Sequence, residues 1–102
     1  MIIKVLQFAF GNGEERPVNI PDPAPESIPE ALELVFYWGQ NENQPVSQRY
    51  SVSVGDIINL QGEYYGVCPM GFRRLTEEER KAHINSERRN RSFNPYSWEP
   101  NI

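Results

Sequence analysis

The sequence predicts an α+β domain: a small, mainly antiparallel sheet with one packed helix, then a polar C-terminal helix and an irregular tail. Three observations predict it. Short runs of β-branched and aromatic residues, bounded by Gly, Asn, Asp or Pro, occur at the start and centre of the chain. Between them lies one apolar set at helical spacing, and near the end a second segment opens like a helix but is almost bare of apolar side chains. At 102 residues, 38% hydrophobic and 24% charged, the chain has material for one modest core. The expected organisation is one domain over residues 1–91 and an aromatic tail over 92–102.

Residues 2–10, IIKVLQFAF, read as the first strand. Apolar side chains fall at both parities, which suits a strand covered on both faces. Residues 11–27 read as a loop, because Pro17, Pro21, Pro23 and Pro25 deny it regular ladder bonding. Ser27-Ile28-Pro29-Glu30 is a capping box with proline in the first turn, where its missing N–H costs nothing. Ile28, Ala31, Leu32, Val35 and Phe36 follow at helical spacing, Glu30 and Glu33 take the other face, and Gly39 ends a helix over 28–38.

Residues 40–49 are polar and loop-like. Tyr50 to Val54 alternates as a strand would, and Gly55-Asp56 turns the chain. Strands at 57–60 and 63–68 are joined by a short hairpin loop in which Gly62 is free to take positive φ. Pro69-Met70-Gly71 breaks the second, and 72–75 makes a short last strand. Thr76-Glu77-Glu78-Glu79 is a second capping box, with three acids that suit a helix N-terminus. The helix it opens, 77–88, has only Leu75, Ala82 and Ile84 to bury, so it is expected at the edge of the fold.

Composition narrows the function classes. The single cysteine, Cys68, makes no internal disulfide, and no apolar run approaches a membrane span. Met1 to Leu6 lacks the pattern of a secretory signal, so a cytoplasmic protein is expected. Residues 1–72 carry three basic and nine acidic side chains, whereas 73–91 carry seven basic and four acidic. One cysteine and one histidine do not close a zinc site, the acids lack calcium-loop spacing, and Gly11-Asn12-Gly13 lacks the rest of a phosphate loop. His83, on a polar helix four residues before Glu87, reads as an exposed side chain; Cys68, in an apolar strand, reads as a small hydrophobe. The expectation is therefore a non-enzyme without cofactor or metal.

The candidate partner-binding residues are Arg88, Arg89 and Arg91, which follow Arg80 and Lys81, and the aromatics Phe93, Tyr96 and Trp98. Arginine forks suit carboxylate and phosphate equally, and large aromatics are enriched where proteins bind one another. A protein partner comes first and unpaired nucleic-acid bases second. The competing reading leaves the basic run as a solvated helix and packs the aromatics back on the sheet. Tyr37 and Trp38 pose the same question. An exposed sheet edge is also able to pair two copies as a homodimer.

Gly39-Gln40-Asn41, then Tyr50-Ser51-Val52-Ser53-Val54-Gly55-Asp56-Ile57-Ile58, then Tyr64-Tyr65-Gly66-Val67 and Gly71-Phe72, resemble a small uncharacterised domain of phage and plasmid open reading frames. The resemblance spans about residues 28–75. It implies a mobile-element setting and no activity. Small proteins of that setting often bind a host protein, frequently a defence factor, so the expected function is stoichiometric protein binding.

Overall fold

The computed structural model describes residues 1–44, 50–88 and 98–102, with side chains of the second stretch described as far as Asn85. Its elements are β1 (Ile2–Gln7), β2 (Glu14–Asn19), α1 (Ile28–Trp38), β3 (Ile57–Leu60), β4 (Glu63–Cys68), β5 (Gly71–Arg74) and α2 (Glu77–Arg88). The strands form one sheet in the order β2-β1-β3-β4-β5, and every neighbouring pair is antiparallel. This is the expected α+β architecture.

Strand periodicity sorts the apolar residues into two clusters on opposite faces. Ile3, Val5, Val18, Ile58, Leu60, Tyr65, Val67 and Phe72 meet Ala31, Leu32 and Val35 of α1. On the other face, Leu6, Ile57, Tyr64 and Cys68 meet Phe8, Leu75, Ile84 and Trp98. Covering both faces explains why β1, β3 and β4 read as nearly continuous apolar runs.

Local chemistry sets the helix ends. Ser27 Oγ accepts from the Glu30 amide at 3.2 Å, and the Glu30 carboxylate reaches back to the Glu26 amide. At α2 the box is reciprocal: Thr76 Oγ1 accepts from the Glu79 amide, and Glu79 Oε1 accepts from the Thr76 amide, both at 3.1 Å. Between β3 and β4 only Gln61 and Gly62 turn the chain, both at positive φ, as a two-residue hairpin needs.

Several expectations are corrected. The first strand ends at Gln7, where the Gly13 amide closes the turn on the Gln7 carbonyl at 2.8 Å. The proline loop contains a strand, β2, that pairs with β1. Met1 and Ile20 exchange both backbone bonds, so alternation along the ladder places Pro17, opposite Lys4, at a non-hydrogen-bonded position. Its missing N–H faces the free edge of an outer strand, where the sheet needs no donor. Residues 50–54 form no strand: the Val52 amide bonds to Gly39 O at the end of α1. The last strand is 71–74, not 72–75.

The second helix lies over a sheet face rather than at its edge, because His83 supplies what its sparse aliphatics do not. His83 is fully buried, with Nε2 2.9 Å from Gly55 O. Its ring packs between Phe8 and Trp98, at centroid distances of 5.2 and 4.9 Å.

Candidate protein-binding surface

The expected contact residues separate. Trp98 is only 8% exposed, and its six-membered ring lies on Gly66 of β4 so closely that a Cβ there would overlap it. Its indole is core, which corrects its assignment to a partner. The segment from Trp98 to Ile102 continues along β5: the Asn101 amide donates to Phe72 O, and its side-chain Oδ1 accepts from the Arg74 amide at 2.7 Å. Part of the expected free tail therefore seals a sheet edge. Arg88 ends α2 and its side chain lies outside the described set; Arg89, Arg91, Phe93 and Tyr96 lie outside the described residues. Nearer the helix start, the Arg80 guanidinium stacks 4.3 Å over the Tyr64 ring, and Lys81 pairs with Glu77 at 3.1 Å.

Cys68 and His83 are both tied into the fold. Cys68 is buried and its thiol faces Gly66 O at 3.7 Å. Burial pushes the thiol pKa up, against the opposing Arg73 cation, so the thiolate a nucleophile needs is disfavoured. His83 is buried in an aromatic clamp, contrary to the exposed side chain expected. Among the described residues, no group of three or more His, Cys, Asp or Glu is placed to hold a metal ion, and no helix is long and apolar enough to cross a membrane.

A second polar system centres on Arg16, a residue that nothing in the sequence singles out. Arg16 of β2 points under the end of α1 and is fully buried. Its Nη1 donates to Gly39 O at 2.7 Å and Tyr50 O at 2.6 Å, and Nη2 donates to Gln44 O at 2.8 Å. Burial lowers its pKa, and the Asp56 charge partly offsets that. Asp56 is buried too, accepting from the Ala9 amide at 2.8 Å and the Ser53 amide at 2.9 Å. Burial raises its pKa to about 6 despite those bonds and Arg16. The Gln40–Asn41 and Ser51–Asp56 stretches belong to the same frame. Gln40 Nε2 donates to Phe36 O and Val52 O, and Ser51 Oγ accepts from the Asn41 amide. The residues that carry the resemblance thus bond to one another and to the helix end.

Several large aromatic side chains remain exposed. Phe10 and Tyr50, 64% and 53% exposed, lean together with centroids 5.5 Å apart. Tyr37 is 55% exposed on α1, edge-on to Trp38 at 5.1 Å. Tyr50 belongs to the same end of the molecule, because one Arg16 nitrogen holds both its carbonyl and that of Gly39. Along α1, Phe36 and Glu33 border a groove of about 140 Å³ against Val67, Pro69 and Phe72. Met70, at the turn beside it, is 85% exposed. Sequence reasoning placed Phe36 on the core face; it sits at the margin of the buried stripe of Ala31, Leu32 and Val35, and only that margin separates core from rim.

No protein-family model, no curated protein and no solved structure matches this chain.

Proposed function

We propose that this protein acts without catalysis, by stoichiometric binding to another protein, in the setting of a mobile genetic element. The resemblance to phage and plasmid open reading frames supplies that setting, with a host or phage protein as partner and a host defence factor as the target it would inhibit. The observation that carries the reading is the set of exposed aromatic and Met side chains Phe10, Tyr50, Phe36, Tyr37 and Met70. Aromatic and Met side chains are the ones enriched in protein interfaces. The engagement of Cys68 and His83 in packing favours binding over chemistry.

Nucleic acid is the second reading, resting on Arg88, Arg89, Arg91, Phe93 and Tyr96. It is weakened because Trp98 is core and because Arg80 and Lys81 already have partners. Capture from nuclease-treated host lysate tests the choice, comparing the wild-type chain with Phe36→Ala/Tyr37→Ala. A protein retained by the wild type and lost by the variant supports the proposal. Recovery of nucleic acid alone, with strong salt dependence and loss on Arg88→Ala/Arg89→Ala/Arg91→Ala, sinks it.

A further inference from the structure

Resting on that reading, we infer that the partner meets the α1 face with a basic segment: an arginine or lysine stem lies in the groove between Phe36 and Phe72, and its cation pairs with Glu33. The groove is shaped for such a side chain. It is lined by Phe36, Val67, Cys68, Pro69, Gly71 and Phe72, and Glu33 is its one charged lining residue. Its volume of about 140 Å³ compares with about 30 Å³ for a water in the liquid, which suits a single long side chain. Apolar side chains beside one carboxylate match an alkyl stem that carries a cation at its tip. An arginine gains further from the ring of Phe36, which lines the groove.

Charge along α1 and its flanking segments points the same way. From Pro17 to Gln48 the sequence holds five acids, Asp22, Glu26, Glu30, Glu33 and Glu42, and no lysine or arginine. The four ion pairs among the described residues involve Glu15, Glu63, Glu77 and Glu79, so none of those five is neutralised there. On α1, Glu30, Glu33 and Tyr37 follow at spacings of three and four, which places them along one outward stripe. Such a field repels phosphate and attracts a basic segment, with a reach of about 8 Å at physiological salt.

The test is an amide NMR titration of the full chain with a synthetic arginine–glycine repeat peptide, with a glutamate–glycine repeat as control. Expected are shifts at Glu33, Phe36, Tyr37 and Met70, a roughly tenfold weaker affinity in Glu33→Lys, and weakening on added salt. Glu15→Lys, an exposed acid on β2 away from the groove, should bind as the wild type does. Equal weakening in both variants, or shifts confined to Glu77–Glu79, overturns the inference, because the contact is then general acidity. No shifts with the basic peptide, alongside lysate capture that needs Phe36 and Tyr37, overturns the basic partner and leaves stoichiometric binding standing. Shifts at the groove without any captured protein support the groove chemistry and count against the proposed function.

Discussion

Replacing Arg16 with Met should cost the fold about 2–4 kcal/mol, and the structure shows why the figure is not larger. The guanidinium makes three hydrogen bonds, to Gly39 O, Tyr50 O and Gln44 O. Bonds to a charged donor contribute about 1.5–3 kcal/mol each, so the gross loss is roughly 5–9 kcal/mol. Two of the three carbonyls keep another donor: Gly39 O still accepts from the Val52 amide at 3.0 Å, and Tyr50 O from the Gln7 side chain. Removing the cation also returns its desolvation cost, several kcal/mol for a buried ion. Urea unfolding at neutral pH, followed by far-UV circular dichroism, measures the difference. A domain of this size loses about 4–8 °C of Tm per kcal/mol, so a fall of at least about 8 °C is expected. A variant within about 0.5 kcal/mol of wild type would refute the clamp. A linked effect follows: the Arg16 charge lowers the Asp56 pKa, so Arg16→Met should move the Asp56 titration to higher pH.

Asp56 itself should make stability fall as pH rises from about 4 to about 6. Its pKa is 3.8 unfolded and about 6 folded, so the folded state binds the proton more tightly and the contribution is greatest below pH 4. The difference is worth roughly 3 kcal/mol, and subtracting the stability–pH curve of Asp56→Asn isolates it; a flat difference curve over that range contradicts the burial argument. Gly66→Ala should cost about 1–3 kcal/mol and alter the near-UV dichroism of tryptophan, because the new Cβ would lie 2.7 Å from Trp98 Cε3; an unchanged spectrum and stability would place Trp98 elsewhere. Cys68 should react with an aromatic disulfide reagent far more slowly in the native protein than in urea, as its burial and raised pKa require; equal rates would show an open thiol. Asn101→Ala should free the Arg74 amide and raise concentration-dependent self-association in light scattering, whereas scattering unchanged from wild type would show that the edge is guarded by other means.

Local signals in the sequence were dependable. Both capping boxes, the Gln61–Gly62 hairpin and the apolar run of β4 announce themselves within a few residues and form as expected. Signals that depend on distant residues were not. Pro17 reads as a strand breaker until its neighbour on the outer side is known to be solvent. Tyr50–Val54 has strand alternation, yet its backbone partner is a helix end, which no periodicity encodes. Arg16 and His83 look like surface residues because polar side chains mostly are; each is buried only because carbonyls from another part of the chain meet it. At the candidate surface, Tyr37 was legible as an open question and Phe36 was misplaced, since helical spacing locates a face but not its margin.

The sheet order has a kinetic consequence. β1 and β2 form one local hairpin, and β3, β4 and β5 form a local meander. Strand pairing joins the two halves only where β1 meets β3, over three residue pairs: Lys4 with Asn59, Val5 with Ile58 and Leu6 with Ile57. Bringing Leu6 to Ile57 closes a long stretch of chain, at an entropic cost of roughly 3 kcal/mol before any seam contact forms. Assembly of the halves is therefore expected to set the folding rate. Val5 and Ile58 are fully buried at that seam and belong to the α1-side core, so the helix that presents the proposed contact surface is laid down against the last join to form.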